Sequence, residues 1–216
     1  MNIQLGIYDV FSRIVPGAFY LFAVFEFGRA VNLIKFDWLT LKDIGLLPLL
    51  GLVLIAYIVG VGMDRAGSAW QRIFKKGRPG AEILNAFKEE HKGRWKLAFE
   101  DVDWPILRAY IYIHDLDVAN EIDRHNALGL MLQNLSLGLV LIAVSEGIQF
   151  AATLNWGFLV LVAVLVILSW QMVIQAGTWR EWFYRSIFEA VIAYRLNLEE
   201  IVNPVRSTAT RKRIRQ

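Results

Sequence analysis

Three ionisable residues stand where ionisable residues are costly. Glu26 and Arg29 lie inside the apolar run from Ile14 to Ile34, and Glu146 lies in the outer third of a second run, 127 to 150. An unpaired charge in hydrocarbon costs on the order of 3 kcal/mol or more, so such residues either line a polar path for ions or clamp helices together. Glu26 and Arg29 are one helical turn apart and can pair within their own helix. Arg29 can also reach Glu146 if the two runs are neighbours. Gln133, Asn134 and Ser136, with Gln171 and Gln175, form a second polar group whose residue types suit hydrogen bonding between helices.

Other residues with chemical potential are sparser. Arg108 and His114 in RAYIYIH have the spacing of a HEPN-type ribonuclease motif, in which paired copies would use the histidine as acid or base. Six residues apart on one helix, the two fall on different faces. The chain has no cysteine, which removes disulfides, thiolate metal sites and cysteine nucleophiles together. His91, His114 and His125 are the only histidines, and none shows the i,i+4 spacing of a helical zinc motif. No metal and no cofactor is expected. KKGRPGAE follows no strand and reads as a turn rather than a phosphate loop.

The elements that must position these residues are apolar helices. Besides 14 to 34, the runs 44 to 63, 127 to 150 and 157 to 177 each approach the ~20 residues a helix needs to cross a ~30 Å hydrocarbon layer. With 56% hydrophobic residues and eight Trp in 216 residues, too little polar sequence remains to cover four such runs in a soluble domain. The expected fold is all-α, an integral membrane four-helix bundle with a small helical cytoplasmic cap. The first run has only Arg13 before it and no A-x-A pattern after it, so it is expected to stay as an anchor.

Charge sets the expected orientation. Residues 64 to 126 hold eleven Lys and Arg and the segment after Gly177 holds eight, whereas 35 to 43 holds only Lys35 and Lys42. The positive-inside rule then places both termini and the middle segment in the cytoplasm. Phe36, Trp38 and Trp156 would form the outer aromatic belt, and Trp70, Phe74, Trp179, Trp182 and Phe183 the inner one. The organisation reads as 1–63, an interfacial segment turning inward at Pro16-Gly17 and two spans; 64–126, a cytoplasmic insert; 127–177, two more spans; and 178–216, an amphipathic helix with a basic tail. In the insert, AEILNAFKEEH reads as a short helix after a turn at Gly80. A second helix from Trp104-Pro105, capped by Asp103, meets no strong breaker before the third span. Ala56, Gly60 and Gly62, and Ala143 and Gly147, supply small residues for close helix packing. In the tail, Arg211, Lys212, Arg213 and Arg215 could meet anionic lipid or nucleic acid. Enforcing topology is the simpler role, and acids in FEDVD and HDLDVANEID balance the middle segment, so nucleic acid is not an expected partner.

At YDVFSRIVPG leading into the first span, with four spans and an insert ending IDRHNALGLMLQNLSL, the chain resembles small bacterial membrane proteins encoded beside antiphage genes. The membrane subunit of the Kiwa system and the transmembrane accessory proteins of Cas13b-type CRISPR loci are of this type. The resemblance implies a bacterial inner-membrane protein of antiviral defence and carries over no functional residue. The residues add an expected oligomer in contact with lipid, acting as a non-catalytic sensor or effector whose cytoplasmic face meets a protein partner. Two alternatives stay open: a small ion channel or transporter using Glu26, Arg29 and Glu146, and a membrane-tethered ribonuclease using Arg108 and His114.

Overall fold

A computed structural model describes residues 3–34, 45–74, 79–92 and 103–194. Six helices follow in order: α1 (Ile3–Ala30), α2 (Leu46–Phe74), α3 (Pro79–Glu90), α4 (Trp104–His114), α5 (Leu116–Thr153) and α6 (Trp156–Ala193). Among the described residues there is no strand. Four of the helices, α1 from Val10 onward, α2, α5 and α6, are long and apolar enough to cross a membrane.

The chain forms two compact units. The first, the span unit, comprises Met1–Lys76 and Ala127–Thr178, and the second comprises Gly77–Asn126 and Trp179–Gln216. Helices α5 and α6 each contribute residues to both units. In the span unit α5 is the enclosed helix: 56% of its most apolar window is buried, against 11% for α2 and for α6. It touches α1 through Tyr20 and Phe19, α2 through Asp64 to Trp70, and α6 through Ser169.

Proline does not end the first helix. The expected turn at Pro16-Gly17 is replaced by one helix running from Ile3 through Pro16 to Ala30. Proline forfeits one backbone hydrogen bond, a loss that packing can offset inside an apolar bundle. Here Ser12 and Pro16 are buried, and α1 presses on α2 at this point. A Cβ on Gly17 would overlap the Ala56 carbonyl oxygen, and one on Gly60 would overlap that of Arg13. The Pro-Gly pair marks a helix crossing. At its far end α1 closes with Asn32 in the left-handed region (φ 59°) and Leu33 N–H donating to the Gly28 carbonyl at 2.8 Å.

Four other boundaries differ from expectation. Helix α2 continues past Met63 to Phe74, so Asp64, Ser68 and Gln71 extend the face of Ala56 and Gly60 instead of opening a separate insert. Helix α6 passes through Gly177 without a break, joining the fourth run to the amphipathic segment. The helix from Trp104 does not run into α5. Asp115, extended at φ −152° and ψ 105°, closes α4, and its Oδ1 accepts the N–H groups of Asp117 at 3.0 Å and Val118 at 3.1 Å to cap α5. Asp103 stands at the N-cap position of α4, but its side chain makes no capping hydrogen bond. Helix α3 already includes Pro79 and Gly80, and the Tyr184 ring lies close over the bare Gly80 backbone, where a Cβ would stand 3.2 Å from the ring edge.

The second unit has its own core. Leu84 and Phe87 of α3, Leu107 and Ile111 of α4, Ala119 and Ile122 of α5, and Phe183, Ile187, Phe188 and Val191 of α6 bury together. Trp104 meets Phe183 edge-on at 5.5 Å between ring centroids, and Phe87 meets Phe188 at 5.6 Å. Neither sequence segment of this unit makes a core alone, because every helix contributes one stripe and needs the other three to cover it.

Candidate functional site

The span unit holds a buried polar network where α1, α2, α5 and α6 meet. Asp64 is its hub. Its Oδ1 accepts from Asn134 Nδ2 at 2.7 Å, and its Oδ2 lies 3.3 Å from Arg13 Nη1. Tyr20 donates its hydroxyl to the Asn134 carbonyl at 2.9 Å, and Gln133 Nε2 donates to Ser68 Oγ at 3.2 Å. One turn on, Trp70 Nε1 donates to Ser136 Oγ at 3.1 Å, and Ser136 Oγ donates to the Gln133 carbonyl at 2.8 Å. Ser169 of α6 donates to the Ser136 carbonyl at 2.9 Å. Gln133, Asn134 and Ser136 are almost wholly enclosed, so each bond replaces one to water that is no longer reachable. The Oε1 of Gln71 and the Oδ1 of Asn134 have no hydrogen-bond partner among the described residues. Gly67 accounts for the second case geometrically: a Cβ there would collide with Asn134 Oδ1, so that oxygen sits against the bare backbone of the glycine.

Gln171 and Gln175 do not belong to this group. Both lie on the exposed face of α6, whereas Ser169, Val173 and Ala176 form its buried face. Of the small residues, Ala56, Gly60 and Ala143 are buried, while Gly62 and Gly147 have nothing within 4 Å of a Cβ position among the described residues. Arg13, Tyr20, Asp64, Ser68, Trp70 and Ser169 are the network members that sequence reasoning missed. A signal for two of them was present: Asp64 and Ser68, with Gln71 beside them, continue the Ala56-Gly60 spacing along one helical face.

At the opposite end of α1, Glu26 and Arg29 pair within one turn. Arg29 Nη1 donates to Glu26 Oε1 at 2.9 Å and Oε2 at 3.1 Å. Glu26 is buried and Arg29 is partly exposed. Helices α1 and α5 run side by side in the same direction, Phe19 against Gly138 and Tyr20 against Asn134, which carries Glu146 to within electrostatic range of both Glu26 and Arg29. Glu146 is itself buried. Glu26 thus holds the guanidinium directly while Glu146 adds a second carboxylate within electrostatic range, a set that becomes electroneutral on holding one proton or one small cation.

The chain matches no protein family, no curated protein and no solved structure.

In the second unit Asp123 is the buried acid. Arg108 Nε donates to Asp123 Oδ1 at 2.6 Å, with Nη2 on the same oxygen, and the Tyr112 hydroxyl donates to Oδ2. Burial, then the hydrogen bond and negative charge of Asp123, push the Tyr112 phenol above its ordinary value. Arg108 is therefore engaged inside the unit. His114 turns instead to the Tyr110 carbonyl at 2.9 Å from Nδ1 and is exposed, so the two residues of the ribonuclease-like spacing do not converge. His125 packs against both Trp179 and Trp182, at 5.5 and 5.8 Å between ring centroids, and the two tryptophans meet each other at 5.2 Å. Among the described residues no group of three or more His, Asp or Glu side chains could hold a metal ion. Arg211, Lys212, Arg213 and Arg215 lie outside the described residues, as do Phe36 and Trp38.

Proposed function

We propose that the protein is a non-catalytic sensor or effector subunit of the bacterial inner membrane, oligomeric and in contact with lipid, working in antiphage defence through a cytoplasmic protein partner. The observation that carries a coupling role is the sharing of α5 and α6 by both units. The helix that anchors the buried network through Gln133, Asn134 and Ser136 also carries Ala119, Ile122 and Asp123 of the second unit. An event at either unit acts on the same helix. Four apolar helices support the membrane, the charge distribution supports the cytoplasmic side for the basic segments, and the resemblance supports defence.

Phage plating on cells carrying the native locus, with and without this chain, tests the defence reading. Plating reduced by the intact locus and restored on deletion is the expected result. Equal plating of a broad phage panel on both strains would end it.

A second reading is favoured by one observation, the burial of two carboxylates, Glu26 and Glu146, within electrostatic range of Arg29. A proton or small cation path through this set makes the protein a channel or transporter. Flux through liposomes holding wild type, Glu26→Gln or Glu146→Gln decides it: flux altered by either substitution supports conduction, and absent flux with unstable variants supports a clamp.

A further inference from the structure

The outward face of α6 is not uniformly apolar. Val160, Val164, Ile167, Gln171, Ile174 and Thr178 follow one another in steps of four, three, four, three and four residues. Steps of three and four keep residues on one side of an α-helix, so the six form a single stripe. All six are exposed. At about 100° per residue they fall within roughly 40° of one line along the helix. Ser169, buried and bonded to Ser136, lies about 180° from that line, with Val173 and Ala176 beside it. The stripe is thus centred on the face that points directly away from the bundle.

Lipid alone accounts poorly for this face. A lipid-facing helix surface needs no amide. Gln171 sits about 22 Å along the helix from Trp156, inside a ~30 Å hydrocarbon layer, with Ile167 and Ile174 above and below it on the same line. Its amide carries both donor and acceptor. Two identical helices in register therefore satisfy each other's amides with no other residue type, as a single polar residue does at the core of a coiled coil.

We propose that α6 pairs in parallel with α6 of a second copy of this chain along this stripe, the Gln171 amides hydrogen-bonding across the pair. The pairing rests on the membrane reading given above and names the contact that makes the oligomer. It leaves the partner-binding surfaces of the second unit unspecified, because the stripe uses residues of the span unit only.

The absence of cysteine makes the test direct. Single cysteines replace Val160, Val164, Ile167 or Ile174, and controls replace Leu159 or Leu161, which are exposed but lie about 100° to either side of Val160. Oxidation in native membranes should yield disulfide-linked dimer at the four stripe positions several-fold above the controls, with Gln171 intact in every variant. Gln171→Asn should keep the cross-link at Ile167→Cys and Gln171→Leu should weaken it several-fold. Uniform cross-linking, none, or a maximum at the controls would overturn the proposal, and an unchanged Gln171→Leu would remove the amide from it. Carbonate extraction separates the two readings. A chain that is extracted overturns both, whereas a retained chain that does not cross-link preferentially along the stripe overturns the pairing alone.

Discussion

Asn134 of α5 donates to Asp64 of α2 at 2.7 Å, and the same carboxylate holds Arg13 of α1 at 3.3 Å. Three helices from distant parts of the chain thus meet on one acid. Asp64→Ala leaves the Asn134 amide without its acceptor and Arg13 without this counter-charge. A loss of about 1 to 3 kcal/mol is expected, discounted because Asp64 and Arg13 keep some exposure. Asp64→Asn retains an acceptor oxygen and should lose about half as much. Thermal unfolding in detergent reads both, and an Asp64→Ala protein as stable as wild type would show the network to be idle.

Glycine spacing gives a paired prediction. Gly60→Ala places a methyl group against the Arg13 carbonyl and must push α1 from α2, an overpacking change expected to cost about 1 to 3 kcal/mol. Gly62→Ala meets open space and should be neutral or slightly stabilising in a helix. The two melting temperatures, compared in one detergent, check the assignment of the packed face.

In the second unit, Arg108→Ala strips the buried Asp123 of its cation and should lower stability by about 1 to 3 kcal/mol, seen as faster amide exchange in α4 and the start of α5. His114→Ala, at an exposed position, should change exchange little. Similar effects of both substitutions would contradict the separate surroundings of the two residues.

The Asp115 carboxyl is held below its ordinary value first by the hydrogen bond from the Tyr194 hydroxyl, at 2.8 Å, and then by the N–H groups at the start of α5. A depressed carboxyl stabilises the fold above its unfolded value and loses that contribution as pH falls through the folded one. The α4–α5 junction should therefore hold at neutral pH and loosen only in acid. Tyr194→Phe should move the carboxyl titration upward, toward the ordinary range, and make the junction loosen at a higher pH. Carbon NMR of the Asp115 carboxyl measures it; an unmoved titration would mean the phenol plays no part.

Tyr112 shows the opposite sign. Its phenol is held in the neutral form, so its contribution is full below the ordinary tyrosine value and is lost as pH rises through the higher folded value. Ultraviolet titration should show late-ionising tyrosines, and Tyr112→Phe should reduce the amplitude of that late step by one tyrosine, leaving Tyr194, whose phenol the Asp115 carboxylate also holds up.

Much of this protein could be read from its chain. Four apolar runs, an all-helical fold, the Glu26–Arg29 pair and the packing role of Ala56 and Gly60 follow from local rules: a helix in a nonpolar medium must be long and apolar, and residues three or four apart share a face. Continuity was harder to see. Pro16 and Gly177 are breakers by type, but a breaker costs a helix only what its surroundings fail to return, and the crossing at Ala56 and Gly60 returns it for Pro16. Asp115 worked the other way, since a single aspartate ends one helix and caps the next only when its backbone leaves the helical region. Which polar residues gather was decided by tertiary structure alone. Gln133, Asn134, Gln171 and Gln175 are alike in type and setting, and nothing within either helix tells which face α5 and α6 turn toward each other. Packing buried Ser169 against Ser136, and that one rotation of α6 sent Gln171 and Gln175 outward, while the faces that α1 and α2 turn to α5 brought Arg13, Asp64 and Trp70 into the network.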